Sequence, residues 1–127
     1  TRLDNIFGMA ALIAAYNDGE EWLDQAIAYV SDNKAYLDQF LRERIPQIRM
    51  IPSEGTYLVW LDCSQLPYRG KALEQFMINE AKVAFCAGYE FGEQGEAFLR
   101  MNVACPRCTL TKALEQIEKA VNALSLQ

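Results

Sequence analysis

Residues 97–104 read Ala97-Phe98-Leu99-Arg100-Met101-Asn102-Val103-Ala104 and run straight into Cys105-Pro106-Arg107-Cys108. Side chains alternate across a strand. The spacing therefore predicts Leu99, Met101 and Val103 on one face, into a core, and Phe98, Arg100 and Asn102 on the other. An Arg and an Asn two apart in an apolar strand admit two readings. One is an antiparallel strand with a solvated face. The other is a polar site, in which a planar fork of donors receives a carboxylate or phosphate.

Downstream of this strand, Leu110, Ala113, Leu114, Ile117, Ala120, Val121 and Leu124 recur at helical spacing. A last helix is expected after Thr109 as N-cap, with Glu115 and Lys119 paired on its wet side. Upstream, Gly88, Gly92 and Gly95 punctuate a loop expected to hold two or three positive-φ positions. No helix starts there, so the glycines do not make a dinucleotide fingerprint, and Glu90, Glu93 and Glu96 would repel a phosphate.

Working further toward the start, Val83–Cys86 reads as a short strand and 71–81 as a helix. Thr56–Leu61 is apolar or β-favouring throughout and predicts a strand buried on both faces. Glu54-Gly55-Thr56-Tyr57 is either a plain turn into that strand or a turn that sets Tyr57 at the rim of a site beside Arg100. Ile48–Ile51 is a further short strand. A long helix is expected over 20–44, ended by Pro46, with Asp18 as N-cap and a broad apolar face of the kind that covers a sheet. A first helix spans 3–15. The order of elements indicates an α/β (α+β) two-layer domain, with helices packed on a small mixed sheet.

The composition agrees. The chain has 127 residues, 51% hydrophobic and 23% charged, which suits one globular domain able to bury a core without staples. A net charge of −5 and the lack of any Lys/Arg run exclude nucleic acid and anionic membrane as expected partners. Histidine is absent, which removes Ser-His-Asp and Cys-His nucleophile systems and the commonest zinc ligand. Cys63, Cys86, Cys105 and Cys108 do not have the spacing of a secreted disulfide framework, so a reducing cytoplasm is the expected compartment. Nothing in that spacing recommends a four-cysteine zinc site, and no metal is expected. Cys105 and Cys108 flank a strand-to-helix junction, where a helix N-terminus and Arg107 would favour thiolates; a stand-alone thiol redox or binding module is therefore the rival reading. The apolar run Ile6–Ala15 is too short to span a bilayer. An Ala-rich helix at a start without initiator Met reads as part of a larger protein.

Several of these stretches together resemble one known family. Glu54-Gly55-Thr56-Tyr57-Leu58-Val59-Trp60-Leu61-Asp62 resembles a strand entry of fold-type-I pyridoxal-phosphate enzymes. Ala87-Gly88-Tyr89-Glu90-Phe91-Gly92, followed by the run from Phe98 to Arg107, is similar to their closing motif. Asn5-Ile6-Phe7-Gly8 and Gly19-Glu20-Glu21-Trp22-Leu23 point to the branch of cystathionine β-lyases, bacterial C–S lyases and class I and II aminotransferases. The resemblance runs in order through nearly the whole chain, and its strongest motif is Arg100 to Arg107.

That resemblance implies the C-terminal small domain of the aspartate-aminotransferase-like fold. Residues 1–19 would be a helix packing on an absent N-terminal large domain, 20–45 the long linking helix, and 46–127 the sheet-and-helix small domain. It implies that Arg100 grips the α-carboxylate of an amino-acid substrate, with Asn102 and Tyr57 as further substrate-binding positions and Arg107 as structural. It implies pyridoxal 5'-phosphate in the intact enzyme, which would be a homodimer performing β-elimination of a thiol or transamination. No catalytic or cofactor-binding residue is expected here: Lys34, Lys71, Lys82, Lys112 and Lys119 all read as solvated, and the chain alone is expected to be inactive and to bind no cofactor.

Overall fold

The computed structural model describes residues 5–124. Helix α1 (Ile6–Asp18) is capped by Asn5, whose side chain accepts from the Phe7 amide at 3.0 Å. It runs through Asp18, so Asp18 does not cap the next helix. Gly19 stands at the junction, its amide donating to Ala15 O, and α2 (Glu20–Arg44) begins with Glu20 and Glu21 in its first turn, favourable against the helix dipole. Ile45 leaves helical geometry at φ −138° because Pro46 follows it.

The sheet has four strands: β1 (Arg49–Met50), β2 (Leu58–Asp62), β3 (Cys86–Ala87) and β4 (Phe98–Asn102). Their spatial order is β1-β2-β4-β3, and every pair is antiparallel, so the expected mixed sheet is not found. The reason lies in the connections. β2 and β3 run in the same direction, linked by α3 (Gly70–Asn79), but β4 inserts between them. No parallel neighbours remain.

Alternation decides the two layers. Val59 faces Met101 and Leu61 faces Leu99 across the β2–β4 ladder, and all four are buried. Against them pack Leu37 and Leu41 of α2, Leu73 and Met77 of α3, and Leu110, Leu114, Ile117 and Val121 of α4 (Arg107–Leu124). The helices cover one face. The other face carries Trp60, Phe98, Arg100 and Asn102, and Leu58 and Trp60 are only half-buried, so β2 is not buried on both faces as its composition suggested.

Two helix details also differ from expectation. Helix α4 starts at Arg107 rather than after Thr109, because the Pro106 carbonyl takes the first two helix-type bonds, from Thr109 and Leu110. Proline's fixed φ suits a helix start. Glu115 and Lys119 do not pair; the long-range ion pair of α4 is Glu118 with Arg44, whose Nε donates at 2.9 Å. On α2 only the second half covers the core, through Asn33, Leu37, Phe40 and Leu41. The first half leaves Trp22, Leu23, Ile27 and Tyr29 exposed, and α1 buries no residue at all. The apolar stripe of 20–44 is real, but half of it meets solvent in this chain.

Candidate substrate-binding face around Arg100

Arg100 lies at the middle of β4, between Trp60 of β2 and Cys86 of β3. Alternation sends it to the face without helices. Its guanidinium carbon stands 4.7 Å from the centroid of Phe91, and one terminal nitrogen lies 3.3 Å from Cys86 Sγ. Its Nε is buried and has no hydrogen-bond partner. Among the described residues no carboxylate pairs with it; the ion-paired arginines are Arg42, Arg44 and Arg49. A permanently charged fork, flanked by rings and lacking an internal counter-charge, is suited to receive an anion from outside.

The aromatic wall beside it is continuous. Phe91 meets Trp60 edge to face at 5.3 Å, and Trp60 meets Phe98 at 6.3 Å. Phe91 belongs to a short helical turn, Gly88–Phe91, within the glycine loop. In that loop only Gly92 has positive φ, +124°, fewer than the two or three expected. Gly88 and Gly95 serve differently. A Cβ on Gly88 would overlap Gly95 O and Phe98 O, and one on Gly95 would overlap Gly88 O. They are required by close backbone approach, not by turn angle.

The other sequence-selected residues fall at varying distances from this arrangement. Asn102 shares the Arg100 face, but its Oδ1 accepts from the Ala104 amide at 2.8 Å, and no hydrogen bond joins it to Arg100. Tyr57 stands just before β2. Its carbonyl extends the ladder by accepting from Val103 N–H at 2.9 Å, and its side chain is half-exposed. In the turn before it, Thr56 rather than Gly55 takes the left-handed conformation, at φ 56°.

Arg107 is engaged within the fold. Its Nε donates to Asn33 Oδ1 at 2.7 Å, its guanidinium covers the Tyr36 ring at 4.4 Å, and its amide donates to Tyr29 Oη. The residue that sequence reasoning missed is Asn33. It is fully buried, and its amide nitrogen donates to Val103 O at 2.8 Å and Cys105 O at 3.0 Å. It therefore locks the long helix to the exit of the Arg100 strand. The one available signal was a polar residue inside the apolar stripe between Val30 and Leu37.

The lysines differ in their surroundings. Lys34 is half-buried and engaged: its Nζ donates to Ser53 O and Gly55 O, both at 3.0 Å, and pins the 53–55 turn. Lys71, Lys82, Lys112 and Lys119 are exposed on helices or a loop.

The thiols show little sign of redox chemistry. All four cysteines are free. Burial, and then the neighbouring Cys108, push the Cys105 thiol up, opposite to the activated thiolate that a redox role needs. Cys63 is fully buried and pushed up to about 12, chiefly by desolvation. No group of three or more His, Cys, Asp or Glu able to hold a metal is found among the described residues, and no helix there is long and apolar enough to cross a membrane.

Comparison with known proteins places this geometry. No protein-family model matches the chain. Protein MalY of Escherichia coli strain K12 is 35% identical over 120 residues, covering 94% of this chain and 31% of MalY. Cystathionine β-lyase PatB of Bacillus subtilis strain 168 is 35% identical over 118 residues, 93% of this chain and 30% of PatB. The crystal structure of cystalysin from Treponema denticola, which contains pyridoxal 5'-phosphate, superposes with a TM-score of 0.90 at 35% identity, over 94% of this chain and 30% of cystalysin. The chain thus spans about a third of the length of the relatives it matches. A two-layer domain with a long entry helix, an arginine at the centre of its open sheet face, and this likeness over nearly its full length agree: the chain belongs, as the C-terminal small domain, to the cystathionine β-lyase and aminotransferase branch of fold-type-I pyridoxal-phosphate enzymes.

Proposed function

We propose that the chain is the substrate-binding small domain of a pyridoxal-phosphate-dependent enzyme, a C–S β-lyase of the cystathionine β-lyase type or an aminotransferase, in which Arg100 holds the α-carboxylate of the amino acid. The observation that carries this reading is the state of Arg100: fixed on the open sheet face, without an internal carboxylate, and with Nε buried and unpartnered. A guanidinium binds a carboxylate through two parallel hydrogen bonds, which fixes orientation as well as position. Holding the carboxylate at one defined point limits how the rest of a small amino acid lies, and that control of orientation is what a stereospecific reaction at Cα requires. Asn102 offers its amide nitrogen along the same face, two residues further on the strand; a role for Tyr57 rests on the family likeness alone.

The cofactor lysine, the remaining cofactor contacts and the large domain are assigned to the rest of the protein, and a cytoplasmic homodimer is the assembly this reading implies. The 127-residue chain alone is expected not to turn over cystathionine. The test uses the full-length natural gene product. A yellow, borohydride-reducible chromophore on a chain far longer than this one is expected. Arg100→Lys should then lose much of kcat/KM, because a point charge replaces a fork. An unchanged kcat/KM would remove Arg100 from the site. A colourless product no longer than this chain would return the thiol module of Cys105 and Cys108 to consideration.

A further inference from the structure

We propose that Phe91 is a positioning residue for Arg100: its ring holds the guanidinium ready for the incoming carboxylate, and the 88–95 glycine loop sets where that ring stands. This rests on the assignment of Arg100 as the carboxylate grip.

Phe91 is 53% exposed, a costly state for a phenylalanine whose only task is to fill a core. It does not enter the central core, whose members are elsewhere. What it covers is the Arg100 guanidinium, at 4.7 Å from ring centroid to Cζ. The ring is itself held edge to face by Trp60, the residue directly opposite Arg100 on the neighbouring strand. Ring and guanidinium are thus fixed from two adjacent strands. Among the described residues the one side-chain hydrogen bond of Arg100 goes to the Cys86 sulfur, a weak partner.

The loop supplies the placement. Gly88 and Gly95 bring its two ends into backbone contact that no side chain would permit. Tyr89 Oη donates to Glu74 Oε2 at 2.9 Å and ties the turn to α3. Gly92, at φ +124°, redirects the chain immediately after Phe91. A free arginine has four rotatable side-chain bonds, and ordering it on binding costs affinity. A ring that orders it beforehand removes that cost from the binding step.

The test is made in the full-length holoenzyme. Phe91→Leu is expected to lower kcat/KM for an α-amino-acid substrate roughly 3- to 30-fold, the span between an exposed and a desolvated cation–π contact, and to do so through KM. Calorimetric affinity for an α-methyl amino acid, which has no α-proton to lose, should fall by a similar factor. The matching amine without a carboxylate should bind Phe91→Leu and the unaltered enzyme alike. Mono-, di- and trifluorinated phenylalanine at position 91 keeps the ring in place while draining its negative face, and should weaken amino-acid binding step by step. A silent Phe91→Leu, a flat fluorinated series, or equal losses with amino acid and amine would each overturn the positioning role. These outcomes are separable from failure of the parent reading, which Arg100→Lys alone decides.

Discussion

Replacing Asn33 by Leu tests whether one buried amide holds the long helix to the strand that carries Arg100. The side chain is fully buried, and it makes two donated bonds, to Val103 O and Cys105 O, and one accepted bond, from Arg107 Nε. Leucine fills a similar volume and supplies none of them. Each neutral bond contributes about 1 kcal/mol net, and the charged one about 1.5–3 kcal/mol. The two carbonyls are also left in the interior without this donor. The expected loss is about 3–5 kcal/mol, a large share of the roughly 5–15 kcal/mol that holds a domain together. Urea unfolding followed by far-UV circular dichroism measures it directly. In a thermal scan the same loss appears as a fall in Tm of roughly 10–20 °C for a domain of this size. Asn33→Asp serves as the informative companion. It keeps the acceptor for Arg107 but turns a carboxylate oxygen toward two carbonyls, so it should be no more stable than Asn33→Leu. A change below about 1 kcal/mol in Asn33→Leu would refute the reasoning, because it would mean the junction is held by apolar packing alone.

Further outcomes follow from the same geometry. Gly88→Ala should destabilise the domain by several kcal/mol, roughly the range of a severe core error, since its Cβ would meet two carbonyl oxygens of the backbone; an unaltered urea midpoint would show that the loop yields. Cys63, at about 12 in the fold against 9.0 for a free thiol, binds its proton more tightly folded than unfolded, so its contribution is intact below pH 9 and is lost as pH rises toward 12. The alkaline loss should approach about 4 kcal/mol and disappear in Cys63→Ala; an identical alkaline limb in both proteins would count against it. Asp62 is held below the ordinary carboxylate range although its burial alone would raise it, because bonds from Ser64 and from Arg49, at 2.6 Å, outweigh desolvation. Its contribution is present above the unfolded pKa and lost as pH falls through the lower folded value, so Asp62→Asn should flatten the acid limb of a stability–pH curve. Cys105, with its thiol pushed up by burial, should react with a disulfide reagent at neutral pH more slowly than a free cysteine; faster reaction would revive the redox reading.

Much of this protein was legible without coordinates because its decisive signals are local. The long helix was read at 20–44, the bounds it has, since apolar spacing, two acidic residues at the start and a proline after the end are all written within one segment. The two faces of β4 followed from a period of two: Leu99 and Met101 are buried, and Arg100 and Asn102 share the other side. The sequence likeness to the pyridoxal-phosphate enzymes rested on the same run of residues, and the relatives confirm it at the level of family.

What only tertiary structure decided concerns partners distant along the chain. The insertion of β4 between β2 and β3 makes the sheet antiparallel, and no local pattern records which strands become neighbours. Asn33 bonds carbonyls some seventy residues away, Lys34 pins a turn about twenty residues on, and Phe91 covers Arg100 from a glycine loop. In sequence these look like a stray polar residue, a solvated lysine and a loop aromatic. Their roles arise from burial and from which backbone groups they meet, both properties of the folded chain. Hydrophobic periodicity specifies which side of an element turns inward; it does not specify which element is there to receive it.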